Sequence, residues 1–75
     1  MKDTNLFTNT LDLAGWLEET DTGIVRYLNL VLLKCESNVI ILDENEEILT
    51  GIEITGQHYY ATAEIIDNIA MRYRH

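Results

Sequence analysis

Ile24-Val25-Arg26-Tyr27-Leu28-Asn29-Leu30-Val31-Leu32-Leu33-Lys34 is the stretch on which the fold turns. Read with period two, Arg26, Leu28, Leu30, Leu32 and Lys34 share one face, and Val25, Tyr27, Asn29, Val31 and Leu33 share the other. Read as a helix, Ile24, Leu28, Val31 and Cys35 fall on one side. Both templates fit, because a run this apolar has no polar face to break the tie. Its length and leucine content favour the helix. The Ile24-Val25 opening and the tight turn before it favour a strand, and a central strand is the reading adopted.

Outward from that stretch the patterns are sharper. On the N-terminal side, Thr20-Asp21-Thr22-Gly23 is a turn, since side-chain oxygens and a glycine compete with regular structure. Before it, residues 10–19 read as a short helix with Thr10 as N-cap, Asp12 near its positive end, and Leu13, Ala14, Trp16 and Leu17 on one side. Gly15 counts against that helix by about 1 kcal/mol relative to alanine. Residues 1–7 are expected to be a loose arm whose Leu6 and Phe7 dock on the body. On the C-terminal side, Val39-Ile40-Ile41-Leu42, the polar Asp43-Glu44-Asn45-Glu46, and Glu47 to Thr55 form a hairpin. Gly51 within its second strand suggests a bulge or a close backbone approach. Gly56-Gln57 is a further turn, and His58-Tyr59-Tyr60 adds a short strand. A closing helix then starts at Thr62 as N-cap. It has Glu64 and Asp67 in its first turns, Arg72, Arg74 and His75 at its end, and an apolar stripe of Ile65, Ile66, Ile69, Ala70 and Tyr73. The expected fold is α+β: a short N-terminal helix, an antiparallel sheet of three to four strands, and a C-terminal amphipathic helix.

The chain has 75 residues, enough for one small acidic domain over 1–75 with a core near the lower limit of self-sufficiency. A hydrophobic fraction of 47% argues for a folded protein despite a net charge of -8. A core this small leaves a homodimer as a natural way to bury more surface. No apolar run reaches the ~20 residues that span a bilayer, and Met1 to Asn5 lacks the layout of a secretory signal. Cys35 is the single cysteine, so no internal disulfide forms and a cytoplasmic location is expected.

Charge is distributed one-sidedly. Between Cys35 and Met71 there is no lysine or arginine, yet Glu36, Asp43, Glu44, Glu46, Glu47, Glu53, Glu64 and Asp67 all fall there. Uncompensated carboxylates steer basic partners toward themselves. Alternatives for these residues are weaker. Asp43, Asn45 and Glu47 alternate as an EF-hand loop begins, but Ile48 and Ile54 stand where that loop needs glycine and a bidentate glutamate. The neighbouring pairs Glu18-Glu19, Asp43-Glu44 and Glu46-Glu47 face solvent rather than a cleft of unlike environments, as acid–base catalysis needs. A Cys35–His58 nucleophile has no third group, and Glu36 beside the thiol disfavours the thiolate; a packed or half-buried thiol is expected. Gly15, Gly23, Gly51 and Gly56 are too scattered for a phosphate loop. Lys2, Arg26, Lys34, Arg72 and Arg74 are too few and separate for direct nucleic-acid binding. No cofactor, metal or catalytic residue is expected.

Tyr27-Leu28-Asn29-Leu30-Val31-Leu32 followed by Ile54-Thr55-Gly56 resembles in part the two short motifs of Sm-like proteins, small helix-plus-barrel subunits of rings that bind RNA. The spacing from Asp21 to Asn29 departs from that pattern, and Thr55 stands where a basic residue precedes the glycine. Both departures count against RNA binding, and membership is not inferred. Size, acidity and lack of chemistry are similar to those of the small inhibitors that phages direct against host nucleases, including anti-CRISPR proteins; that likeness is one of composition only.

The expected function is therefore non-enzymatic protein binding, with an acidic surface that imitates nucleic-acid phosphates and occupies the basic groove of a nucleic-acid-handling enzyme. Glu36, Asp43, Glu44, Glu46, Glu47 and Glu53 would carry it, with Tyr59 or Tyr60 as an apolar anchor. The alternative is a structural subunit of a homo-oligomer, dimer or Sm-like ring, whose acidity only keeps it soluble.

Overall fold

The computed structural model describes residues 5–73. Its elements are β1 (Leu6–Phe7), α1 (Thr10–Glu19), β2 (Thr22–Tyr27), β3 (Leu30–Cys35), β4 (Asn38–Leu42), β5 (Ile48–Glu53) and α2 (Tyr59–Arg72). The fold is α+β, built on one five-stranded sheet in the order β1-β2-β3-β4-β5. The sheet is mixed, not antiparallel throughout, because β1 runs parallel to β2 with Leu6 beside Arg26 and Phe7 beside Tyr27. Residues 5–7 of the expected loose arm are thus tied into the sheet edge: Arg26 N–H donates to the Asn5 carbonyl at 2.8 Å. Residues 1–4 lie outside the described residues, as do Arg74 and His75 of the expected C-terminal cationic cluster.

The ambiguous stretch is neither a helix nor one strand but two strands joined at Leu28-Asn29. Leu28 adopts φ 54, a left-handed conformation disfavoured for a branched side chain. What holds it there is tertiary: Leu28 packs against the core, and Asn29 Nδ2 donates to the Tyr73 carbonyl at 3.1 Å. The next turn, Glu36-Ser37, is also tight, with Glu36 at φ 56. Its pairing register sets Thr22 beside Cys35 and Cys35 beside Asn38.

Side chains alternate across the pleat, so each strand has a core face and an open face. Val25, Tyr27, Leu30, Leu32, Val39 and Ile41 point to one side, where Leu13 and Leu17 of α1 and Ala63, Ile66 and Ala70 of α2 complete a buried cluster. Both helices cover that face. Helix α1 has the expected bounds, but its N-cap is Asn9, whose Oδ1 accepts from Asp12 N–H at 2.9 Å. Helix α2 begins three residues before Thr62: Tyr59 and Tyr60 form its first turn instead of a strand, and His58 is the N-cap. Thr62 is buried inside the helix and donates its hydroxyl to the His58 carbonyl at 2.8 Å. Glu64 and Asp67 accordingly lie mid-helix. The buried stripe is Ala63, Ile66 and Ala70, while Ile65 and Tyr73 are exposed.

In β5 the register shifts between Ile41 and Leu42, which pair with Thr50 and Ile48. The extra residue is therefore Leu49, not Gly51. Among the described residues, no helix is long and apolar enough to cross a membrane.

Candidate protein-binding surface

Strand register sorts the acidic residues into two groups. At the end where β2 starts and β3 and β5 finish, Glu36 of the β3–β4 turn and Glu53 of β5 come together with Asp21 and the C-terminal end of α1, Glu18-Glu19. Glu36 N–H donates to the Asp21 carbonyl at 2.6 Å, which binds the β3–β4 turn to the α1–β2 loop. At the opposite end, Asp43, Glu44, Glu46 and Glu47 occupy the β4–β5 turn. The two groups are separated by the length of β4, roughly 17 Å at ~3.4 Å per residue.

The first end is a shallow depression of about 260 Å³, lined by Leu17, Glu18, Asp21, Lys34, Glu36, Ser37, Ile54, Gly56 and Tyr59. Lys34 is the feature that sequence reasoning missed. It lies on the core face of β3, only 6% exposed, and its Nζ donates to the carbonyls of Thr20 and Glu36, both at 2.5 Å. An ammonium so buried needs such acceptors. It fastens the same two loops that carry the carboxylates, so Glu18, Asp21 and Glu36 stand on a rigid base. The period-two pattern does put Lys34 in the row of Leu30 and Leu32, which is the buried row; that was the available signal.

Tyr59 and Tyr60 part company. Tyr59 is half-buried, packs against the core and lines the depression. Tyr60 is exposed, with its hydroxyl 3.5 Å from Thr10 Oγ1, outside the depression. Of the residues singled out by sequence, Glu36 and Tyr59 therefore line one depression with Glu18 and Asp21, whereas Glu53 lies at the same end of the sheet but on its open face, in the row of Asn38.

The β4–β5 turn uses one of its carboxylates for itself. Asp43 Oδ1 accepts from Asn45 N–H at 2.8 Å and from Glu47 N–H at 3.0 Å, an Asx-type turn. Glu46 sits at φ 66 and donates its N–H to the Asp43 carbonyl at 3.0 Å. Glu44, Glu46 and Glu47 remain exposed. Among the described residues no three His, Cys, Asp or Glu are grouped so as to hold a metal ion. Cys35 is exposed, not packed. It lies on the sheet face away from the helices, whereas His58 caps α2.

That second face is itself concave. A hollow of about 540 Å³ is lined by Ile24, Arg26, Asn29, Leu30, Val31, Leu33, Leu42, Glu44 and Glu46. Elsewhere, the phenol of Tyr27 is pushed well above its ordinary value. Burial is the largest cause, followed by the Asp67 carboxylate that accepts its hydrogen bond at 2.7 Å.

No protein-family model, curated protein or solved structure matches the chain. The segment that resembles an Sm-like motif, Tyr27 to Leu32, is divided by the Leu28-Asn29 turn.

Proposed function

We propose that this chain is a non-enzymatic protein-binding module that presents carboxylates to the basic, phosphate-binding surface of a nucleic-acid-handling protein. The observation that carries this reading is the rigid acidic end, where Glu18, Asp21 and Glu36 line a depression together with Tyr59. An arginine or lysine of the partner enters between the carboxylates, pairs with them, and lies against the phenol ring. Exposed carboxylates on fixed turns also accelerate encounter with a positive groove and penalise acidic partners. Glu44, Glu46 and Glu47, at the other end of β4, extend the same negative field.

The test is capture from host lysate on the tagged protein, washed at low and at high salt, beside two variants. One is Glu18→Gln/Asp21→Asn/Glu36→Gln; the other is Glu44→Gln/Glu46→Gln/Glu47→Gln. The expected result is a basic-groove protein released by salt and lost with the first variant. Retention of the same partner by both variants would remove the electrostatic basis of the proposal.

A further inference from the structure

The sheet face opposite the helices has the composition of a buried surface. An antiparallel sheet covered on one side normally alternates apolar and polar residues, whereas near-continuous apolar strands belong to sheets covered on both sides. Strands β3 and β4 are of the second kind: Val31, Leu33, Ile40 and Leu42 all lie on the open face, beside Ile24 of β2. Ile24 is 45% exposed and Ile40 39%.

We infer that a second copy of this chain covers that face, around a two-fold axis running parallel to the strands. Rotation about such an axis turns one open face onto the other and lays β2 of each copy over β5 of its partner. Three matches follow from the register, which aligns Ile24, Leu33, Ile40 and Gly51 in one row and Arg26, Val31, Leu42 and Ile48 in the next.

The first match is steric. Gly51 has no role within its own chain, because its φ is not left-handed, the bulge lies elsewhere, and an added Cβ would meet only the Val39 carbonyl at 3.8 Å. A glycine inside a strand marks a place where something approaches closely. The two-fold sets the projecting Ile24 side chain of the second copy over the gap at Gly51. The second match is apolar, Leu33 against Ile40 in both directions. The third is electrostatic. Arg26 is the one cation on this face among the described residues, and it lies on the β2 side of the hollow. Glu44 and Glu46 border the same hollow from the β4–β5 turn. The rotation lays Arg26 of each copy over Ile48 of the other, at the strand end that adjoins the turn bearing Glu44 and Glu46, so its guanidinium reaches those carboxylates in the reciprocal pairing that an isologous interface requires.

Four strands about 4.8 Å apart and five residues long give a footprint of roughly 19 by 17 Å. That is about 320 Å² per copy and about 650 Å² for the pair, below the roughly 1,200–2,000 Å² buried in total by stable specific interfaces and in the range of weak, transient ones. The pair is therefore a reversible dimer that dissociates on dilution. The inference does not rest on the acidic-end reading, since Glu18, Asp21 and Glu36, which line the depression, are not used in it.

Sedimentation equilibrium of the full chain, from low micromolar to near-millimolar concentration, tests it. The wild-type chain is expected to form a dimer and nothing larger. Gly51→Val, whose Cβ meets nothing nearer within its own chain than the Val39 carbonyl at 3.8 Å, and Arg26→Glu are each expected to weaken the dimer about ten-fold or more, with circular dichroism unchanged. Combining Arg26→Glu with Glu44→Arg and Glu46→Arg restores association. A monomer across the whole range overturns the inference. So does a dimer insensitive to both single changes, as pairing along the β5 edge would give, or a larger closed assembly.

Discussion

The Tyr27 hydroxyl donates a 2.7 Å hydrogen bond to Asp67 Oδ1, joining the last residue of β2 to the middle of α2 across 40 positions of sequence. Tyr27 is fully buried up to its ring and Asp67 only partly, so the bond sits where the core meets solvent. A hydrogen bond to a charged acceptor contributes more than one between neutral groups. Tyr27→Phe is expected to keep the packing and lower stability by about 1–2 kcal/mol, measured by urea denaturation. A loss near zero would mean that water replaces the hydroxyl at no cost.

The same bond sets an alkaline limit. In the unfolded chain the phenol titrates near ~10; in the fold, burial and the Asp67 carboxylate push it well above that. Above ~10 the unfolded state therefore binds fewer protons than the native state, and stability falls as pH rises. The contribution of this group is complete below that pH and lost progressively above it. Melting temperature followed from neutral pH upward should drop beyond ~10, and this part of the drop should vanish in Tyr27→Phe.

Gly15 lies within α1, and a Cβ added there would meet nothing within 4 Å. The residue weakens the helix without any packing benefit. Gly15→Ala is expected to stabilise the protein by about 0.5–1 kcal/mol. In a domain of this size that corresponds to a rise in melting temperature of roughly 2–8 °C. A fall would show that the glycine has a role in the folded state beyond its own helix.

Asp43 lets the charge of the β4–β5 turn be separated from its geometry. Its Oδ1 accepts two backbone N–H groups, a task that the amide oxygen of asparagine performs equally well. Asp43→Asn should leave stability within about 0.5 kcal/mol of the parent, and Asp43→Ala should cost about 1 kcal/mol. Equal losses in thermal denaturation would assign the effect to charge instead of the turn.

Much of this fold was legible in sequence, and the failures share one cause. Helix α1 was read with its observed bounds and the β4–β5 hairpin with its strands, because both are bounded by polar residues that suit caps and turns. The turns at Leu28-Asn29 and Glu36-Ser37 were not separated out, since neither contains the glycine that a left-handed residue usually demands. Core packing of Leu28, and the carbonyl of Glu36 bound by Lys34, supply what local sequence does not. Tyr59-Tyr60 read as strand because aromatic pairs favour strands, but Tyr59 anchors α2 to the core. The site was half legible. Carboxylate identity was plain, whereas its division between two ends depends on register, and register is a property of pairing that no single strand reveals.

The grouping of Glu18, Glu19, Asp21, Glu36 and Glu53 at one end implies a cost in stability that salt relieves. The chain carries 13 acidic residues against 5 basic ones, and like charges fixed close together disfavour the compact state. Lys34 lies under this end but directs its ammonium to two backbone carbonyls, so it anchors the loops more than it neutralises the surface. Raising ionic strength to ~0.15 M shortens the screening length to about 8 Å. Melting temperature is therefore expected to rise by a few degrees between salt-free buffer and ~0.15 M sodium chloride. Glu53→Lys, an exposed change at the end of β5, should reproduce part of that rise without salt and flatten the salt dependence. If the wild-type melting temperature falls on adding salt, attractive pairs outweigh repulsion at this surface, and the acidic end is not the strained, partner-seeking feature that its composition implies.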